Sequence, residues 1–253
     1  MIAFRTNFAN QQTILMRKHT VFALIIGLVA ATQVVSAADI TGTVTLNGTP
    51  PPEREITPLE NDATCGKLHT EKVFTQFYVV GSNKGLADTI VMLKGVPGQS
   101  TGAAAPPALL DQKGCLYHPQ ILAIQTNQKL VIRNSDPTLH NVHMNPTGDN
   151  VGKNPENQAQ MAGGPDLTVS FPAAENFMKF QCDVHPWMFA WVTVVDNPYF
   201  AVTDKDGKFT IKDVPPGSYK IVALHRKAAP TGVEKDVDVK DSGATVDFTL
   251  EVK

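Results

Sequence analysis

The strongest constraint on the fold is a succession of short β-type runs that begins near residue 39. Aliphatic, threonine and aromatic residues form these runs, and proline, glycine, asparagine and aspartate separate them. Segments with the period of an amphipathic helix are absent from the sequence beyond its N-terminus. The pattern therefore predicts an all-β chain in which sheets pack face to face, a β-sandwich.

Strand candidates are spread over residues 40–195. They are residues 40–46, 74–80, 89–93, 121–124, 130–134, 168–171, 177–182 and 191–195. The polar turn 126–128 predicts a hairpin between two of these runs, and the composition of 145–166 predicts a long loop. Alternation within 177–182 places Met178, Phe180 and Cys182 on one face of their strand, toward the core.

The strand pattern changes near residue 197 and predicts two folded units. Regularly spaced short strands with Asp-Gly and Pro-Gly turns predict a smaller β-sandwich over residues 197–253, following a larger unit over 38–196. The strand at 40–46 could also complete the smaller sandwich, in which case the larger unit is an insertion.

The N-terminus has the composition of a secretory signal peptide. Arg17 and Lys18 precede an apolar run over 21–35, which ends in the small residues Ser36 and Ala37. We expect cleavage after Ala37, removal of residues 1–37, a periplasmic or otherwise exported protein, and no membrane span afterwards. An uncleaved membrane anchor is the alternative, although the run is shorter than a spanning helix requires.

Net charge limits the classes of partner. The predicted signal peptide contains three basic residues and no acid, so its removal changes the formal charge from −2 to −5. A mildly acidic protein of this kind is not expected to bind nucleic acid or an anionic membrane surface.

Three cysteines leave an odd one in an exported protein. Cys65 and Cys115 lie in unremarkable polar surroundings, whereas Cys182 has His185 and Met188 close by. We predict a Cys65–Cys115 disulfide, with the Cys182 thiolate kept for a metal. Two unrelated buried thiols at 65 and 115 are the alternative.

Residues 182–188 carry a thiolate, an imidazole and a thioether within one short stretch: Cys182, His185 and Met188. A mononuclear copper electron-transfer site uses these ligands together with a second histidine. His140 follows a strand break at Asp136-Pro137 and is the candidate for that histidine. His143 lies close enough in sequence for a second metal contact, and zinc is an alternative metal, although a thioether is a poor zinc ligand.

Two of these segments together resemble the cupredoxins, in particular the amicyanin and plastocyanin-like branch. Leu139-His140-Asn141-Val142-His143 resembles the segment that holds their first histidine ligand. Cys-x-x-His-x-x-Met at 182, 185 and 188 resembles the short ligand loop of amicyanin, and the resemblance extends over roughly residues 89–195.

The resemblance implies a Greek-key β-sandwich that binds one copper ion cycling between Cu(I) and Cu(II). It implies His140, Cys182 and His185 as equatorial ligands, Met188 as the axial ligand, and Asn141 as the residue whose hydrogen bonds tie the two ligand loops together. It also implies a redox protein as partner. The N-terminal extension and the 145–166 segment exceed the small family members, so their docking surfaces cannot be carried over.

The C-terminal unit separately resembles carboxypeptidase regulatory-like, prealbumin-like sandwiches. The resemblance lies in Thr-Asp-x-Asp-Gly-x-Phe from residue 203 and Pro-Pro-Gly-x-Tyr from residue 215. That family has no single function, so the match implies a fold only.

Three functions compete at this point. An exported blue-copper electron carrier uses the whole ligand set, and a copper delivery or storage protein is the alternative. An enzyme of the multicopper oxidase or nitrite reductase kind would need a His-Cys-His run, but Gln181 and Asp183 flank Cys182. We therefore predict a protein that is not an enzyme.

Overall fold

Strands dominate the computed structural model, which describes residues 37–96 and 100–253. The predicted signal peptide lies outside the described residues except for Ala37. The strands are β1 (Ala38–Asn47), β2 (Ile90–Lys94), β3 (Ala108–Lys113), β4 (Leu116–His118), β5 (Ile121–Gln125), β6 (Leu130–Asn134), β7 (His140–Asn145), β8 (Asn157–Gln160), β9 (Leu167–Val169), β10 (Glu175–Gln181), β11 (Phe189–Val195), β12 (Phe200–Val202), β13 (Lys208–Val214), β14 (Gly217–His225), β15 (Ala229–Val239), β16 (Ala244–Thr245) and β17 (Phe248–Glu251).

Helical structure within the described ranges is limited to short pieces. They are α1 (Thr57–Glu60) and the 3₁₀ turns Cys65–Leu68, Ser82–Lys84, Gly102–Ala104 and Gly148–Asn150. The predicted all-β class is therefore confirmed. Among the described helices, none has the length and apolar character needed to cross a membrane.

Two sheets enclose the first core, which contains Cys182. One sheet has the strand order β5-β11-β10-β7-β8, and the other has the order β4-β3-β6-β9. Between them lie fully buried side chains such as Leu110, Ile124, Ile132 and Phe180. Met178, Phe180 and Cys182 are 1%, 0% and 2% exposed, so the predicted inward face of this strand is confirmed.

The predicted hairpin over residues 121–134 is wrong. β5 pairs in parallel with β11, whereas β6 pairs with β3 and β9 in the opposite sheet. The connecting turn is held from both sides, because Thr126 N–H donates to Val195 O and Asn127 N–H donates to Phe171 O. These bonds carry the chain from one sheet across to the other.

The other two sheets enclose a second core. One contains β13-β1-β16 with β17 also paired to β1, and the other has the order β12-β2-β14-β15. β1 pairs in parallel with β17, Val44 opposite Phe248, and β2 pairs with β14. Segments 38–47 and 90–94 thus share sheets with C-terminal strands. The division into units 38–196 and 197–253, with strand 40–46 as an alternative part of the second, stays a prediction.

The two sandwiches share one packed face. The outer side of β5 and β11 meets β2 and β14 through Ile121, Ala123, Ile90, Val222 and Leu224. Because β11 is anchored on both faces, the loop that precedes it, residues 182–188, starts from a rigid base.

One strand prediction and one loop prediction need correction. Residues 74–80 form isolated bridges, Glu55 with Phe74 and Val80 with Leu86, instead of a strand. Glu53 explains this, since its carboxylate accepts a hydrogen bond from the backbone of Tyr78 and binds the Thr75 hydroxyl, in place of a neighbouring strand. The predicted long loop 145–166 contains β8, which pairs with β7 through His140 and Gln160.

Candidate metal centre

A tight loop joins β10 to β11 and carries three of the predicted ligands. Cys182 follows the last residue of β10, and its backbone N–H donates to Met188 O at 3.0 Å. Met188 N–H in turn donates to His185 O at 2.8 Å. These two bonds close the loop and turn Cys182 and His185 toward the same point.

His140 is delivered by the neighbouring strand. It is the first residue of β7, which pairs with β10 in the same sheet. Its Nδ1 atom lies 2.9 Å from His185 Nδ1 and 4.0 Å from Cys182 Sγ, and Cys182 Sγ lies 3.6 Å from His185 Nδ1. Two imidazole nitrogens and one sulfur therefore converge, although 42 residues separate His140 from Cys182.

The spacing of these three donors fits a single ion. Metal–nitrogen and metal–sulfur bonds are about 2.0 Å and about 2.3 Å long, so donors on one centre lie at most about 4.3 Å apart. All three pairs are within that limit. His140, Cys182 and His185 are 0%, 2% and 5% exposed, so the donors face one another and not solvent.

A carboxylate fixes the tautomer of His140. Asp136 Oδ2 lies 2.9 Å from His140 Nε2, and an ionised carboxylate only accepts hydrogen bonds. The ring proton of the neutral imidazole therefore sits on Nε2. The Nδ1 lone pair is left pointing at Cys182 and His185, which is the form that binds a metal.

Electrostatics favour a thiolate at Cys182. Burial opposes ionisation of the thiol, but the contact with His140 and backbone N–H groups, including that of Asn141, outweigh burial and lower its pKa. Burial likewise opposes charge on His140, but its hydrogen bonds to Asp136 and Cys182 raise its pKa. At His185, burial and the neighbouring His140 charge lower the pKa, so this ring is held neutral.

Asn141 joins the two ligand-bearing segments. Its side-chain Oδ1 accepts the backbone N–H of Asp183 at 2.7 Å and lies 3.3 Å from Cys182 Sγ. Its own backbone N–H points at the same sulfur at 3.5 Å. Asn141 Nδ2 also donates to Asp183 Oδ2 at 3.0 Å, so the strand β7 and the loop are tied at several points.

Met188 and His143 occupy different positions relative to the donors. Met188 is fully buried in the same apolar cluster as Cys182. His143 instead lies on the sheet surface, where its Nδ1 is 3.0 Å from Asp183, apart from the converging donors. Hydrogen bonds from His143 and Gln181 lower the pKa of Asp183 to about 2.

The Cys65–Cys115 disulfide and Trp187 cover the candidate metal centre, and the sequence did not predict this cover. Cys65 and Cys115 form the predicted disulfide, which is thereby confirmed, and their sulfurs lie within 4.8 Å of a His185 ring nitrogen. The Trp187 ring packs 5.2 Å from the His185 ring, and its Nε1–H donates to Cys115 O at 3.2 Å. The sequence identified Asp136 only as part of a strand break, although an acid four residues before the candidate ligand His140 was a signal that could have been used.

Comparisons with known proteins give distant structural likenesses. The chain is similar to a copper-containing nitrite reductase from Thermus scotoductus SA-01, with 16% identity, 40% of this chain and 25% of that chain covered, and a TM-score of 0.30. It is similar to a novel purple cupredoxin from Nitrosopumilus maritimus, with 21% identity, 34% and 98% covered, and a TM-score of 0.29.

A methionine-to-alanine variant of amicyanin with Cu(I) matches at 16% identity, with 41% of this chain and 97% of that chain covered and a TM-score of 0.29. At such low TM-scores these likenesses carry no conclusion about function. No protein-family model matches the chain, and no curated protein matches it by sequence.

Proposed function

We propose that this protein is an exported single-copper electron-transfer protein in which His140, Cys182 and His185 would hold the ion and Met188 would be a weak further ligand. The observation that carries the proposal is the convergence of two imidazole Nδ1 atoms and one thiol sulfur in a buried site. A bound copper ion would supply one-electron chemistry between Cu(I) and Cu(II).

The donor set favours copper over other ions. A thiolate and a thioether are soft ligands that suit copper, and two imidazoles with a thiolate form the trigonal set of electron-transfer copper sites. Zinc accepts cysteine and histidine, but it does not use a thioether such as Met188. A hard ion such as magnesium or calcium would need oxygen ligands, which the three converging donors do not provide.

The chain's own residues supply rigidity and exclusion of water. Asn141 ties β7 to the ligand loop, and the backbone bonds of Cys182 and Met188 close that loop. Asp136 holds a proton on His140 Nε2 and keeps Nδ1 free. An arrangement held at this many points resists rearrangement when the charge of a bound ion changes, as fast electron transfer requires.

Burial of the three donors favours an electron carrier over a copper delivery or storage protein. A delivery site exchanges ligands with a partner, but the donors here are at most 5% exposed. An electron can instead leave through the imidazole of His185 and the Trp187 ring packed on it. A cavity of ≈350 Å³, lined by Trp187, Phe189, Phe77 and Phe74 among others, opens beside this ring and supports contact with a redox partner here.

Repeated redox cycling tests the proposal. The copper-loaded protein is reduced and reoxidised several times in the presence of a chelator, and retained copper is measured after each cycle. An electron carrier keeps its copper at one ion per chain, whereas a delivery or storage protein loses it to the chelator. Cys182→Ser is the matched control that should lose copper under the same treatment.

The proposal has three further parts: the protein is exported, it is not an enzyme, and its C-terminal unit supports the first sandwich. The N-terminal apolar run supports secretion, and the Gln181-Cys182-Asp183 sequence supports a carrier in place of a multicopper enzyme. The sheets formed by β12–β17 with β1 and β2 fit a prealbumin-like unit that buttresses the first sandwich. Fractionation of the native host, with assay of the periplasmic contents, tests the location.

A further inference from the structure

Asp136 is an acid whose side chain is fixed by contacts on several sides. Its carboxylate is 3% exposed. Oδ1 accepts the backbone N–H of Gly114 at 2.6 Å, and Oδ2 accepts that of Cys115 at 2.7 Å while lying 2.9 Å from His140 Nε2. The carboxylate cannot turn away from His140 without leaving the half-buried Gly114 N–H and the buried Cys115 N–H unpaired, and an unpaired buried donor is destabilising.

The two backbone donors belong to an unusual turn. Gly114 and Cys115 connect β3 to β4 as a two-residue hairpin turn, with φ of 64° and 54°. Glycine adopts this left-handed conformation freely, but for cysteine it is unfavourable because the Cβ atom crowds the backbone. Some other contact must therefore hold Cys115 in place.

The disulfide and Trp187 are the contacts that hold the turn. Cys115 is bonded to Cys65, whose own N–H donates to Asp62 Oδ1 at 2.8 Å, and Cys115 O accepts the indole N–H of Trp187. A continuous chain of bonds thus runs from the disulfide to the turn, from the turn to Asp136, and from Asp136 to His140.

We propose that the Cys65–Cys115 disulfide and Asp136 together form a positioning device for His140, so that breaking the disulfide alters the metal site. The inference rests on the proposed copper function. Asp136 is a positioning residue, since it acts only through His140. A carboxylate that accepts the Nε2 proton makes the imidazole a stronger donor, which stabilises Cu(II) more than Cu(I) and lowers the reduction potential.

Asp136→Asn tests the carboxylate directly, with Asp111→Asn as the matched control. Asp111 lies on β3 and bonds Ser135 at 2.7 Å, so its substitution removes the same charge without a contact to His140. We expect Asp136→Asn to lose about 10- to 100-fold in Cu(II) affinity. The Cu(I) affinity falls less, so the reduction potential rises, while Asp111→Asn behaves as wild type. Equal behaviour of the two variants overturns the inference.

The disulfide is tested through the proton on His140 Nε2. In metal-free protein this proton, bonded to a carboxylate, should give a resolved, far-downfield nuclear magnetic resonance signal. We expect Cys65→Ser/Cys115→Ser to broaden or lose it. If that variant does not fold, the same signal is followed in wild-type protein whose disulfide is reduced with a water-soluble phosphine. In this reaction the phosphine becomes its oxide, with oxygen from water, and the disulfide becomes two thiols. An unchanged signal overturns the role of the disulfide.

The two proposals fail in different ways. A wild-type protein that binds no copper contradicts the proposed function, yet the Nε2 proton signal still reports whether the disulfide and Asp136 position His140. Copper that binds with an intense thiolate band, but with the same potential in Asp136→Asn and Asp111→Asn, leaves the proposed function intact and removes the positioning role.

Discussion

Both sandwiches bury histidine side chains, and His140 of the first has very different surroundings from His225 of the second. His140 in the first sandwich is 0% exposed and faces a carboxylate, a thiol and a second imidazole. His225 in the second is 2% exposed and stacks on Tyr78, and its Nδ1 accepts the backbone N–H of Ala228 at 3.0 Å. Contacts outweigh burial and raise the pKa of His140, whereas burial alone lowers the pKa of His225 to about 4.

The comparison shows that burial does not make a histidine functional. His225 is a neutral packing residue whose ring nitrogen satisfies a turn of its own backbone. His140 has its outer nitrogen occupied by an acid and its inner nitrogen left facing two further donors. The partners on both ring nitrogens therefore decide the role of a buried histidine, so substitutions in the two sandwiches should differ in their effects on metal binding, pH dependence and stability.

Removing the disulfide should have the largest effect on stability. The bond closes a loop between residues 50 apart in the first sandwich, and the second sandwich has no disulfide among its described residues. Loop-closure entropy for that length predicts that Cys65→Ala/Cys115→Ala loses about 4 kcal/mol of unfolding free energy. Denaturant unfolding measures this free energy. A loss below about 1 kcal/mol would mean that the segment around Cys65 and Cys115 keeps its structure without the bond.

Acidification should destabilise the protein through His225. The unfolded chain binds a proton near pH 6.5, but the folded ring does so only near pH 4, so stability is complete above pH 6.5 and falls as the pH decreases toward 4. The loss reaches about 3 kcal/mol, at about 1.4 kcal/mol for each pKa unit.

His225→Asn keeps an acceptor for the Ala228 N–H but cannot titrate in this range. The difference in unfolding free energy between wild type and this variant should therefore change with pH between 6.5 and 4. Asp88 also lies beside the pocket of His225, and burial raises its pKa, but it titrates in both proteins and cancels in the difference. A difference that is constant with pH would contradict the assignment of His225 as a buried neutral ring.

Exchanging the proposed ligand His140 for alanine should lower copper affinity, whereas exchanging His225 should not. His140→Ala removes one of three converging donors, and we expect a loss of more than about 100-fold in copper affinity, beyond what outer contacts contribute. His225→Asn is the matched variant and should bind copper as wild type does. Competition against a chelator of known affinity measures both, and equal losses would show that the first sandwich has no special site.

His143→Asn should have the smallest effect. His143 lies three residues beyond the proposed ligand His140, but its Nδ1 contacts Asp183 at the surface. We expect no change in copper stoichiometry or spectrum, and a stability change within about 0.5 kcal/mol. Altered copper spectra in this variant would place His143 inside the coordination sphere.

Local pattern predicted the strands well, and long-range pairing poorly. Alternation correctly turned Met178, Phe180 and Cys182 inward, because the period of a strand is a local property. The supposed hairpin over 121–134 failed, since a short polar turn permits both a hairpin and a crossing between sheets. The chain crosses between the sheets because the turn donates hydrogen bonds to the carbonyls of Val195 and Phe171, which lie far away in the sequence.

The candidate ligands could be named from residue type and spacing, but their supports could not. Cys182 and His185 are close in sequence, and the strand break before His140 suggested the third donor. Asp136 belongs to the site only because Gly114 and Cys115 present two N–H groups to it. Cys115 of that turn is also bonded to Cys65, and such a chain of contacts appears only in the folded structure.

The most direct test of the central claim is a titration of the metal-free protein with Cu(II), followed by its visible spectrum. We predict an intense thiolate-to-copper charge-transfer band that grows linearly to one equivalent and then stops, and that Cys182→Ser abolishes while His225→Asn leaves it intact. A folded wild-type protein that takes up copper without this band, or a band that survives in Cys182→Ser, would contradict a copper site built on Cys182.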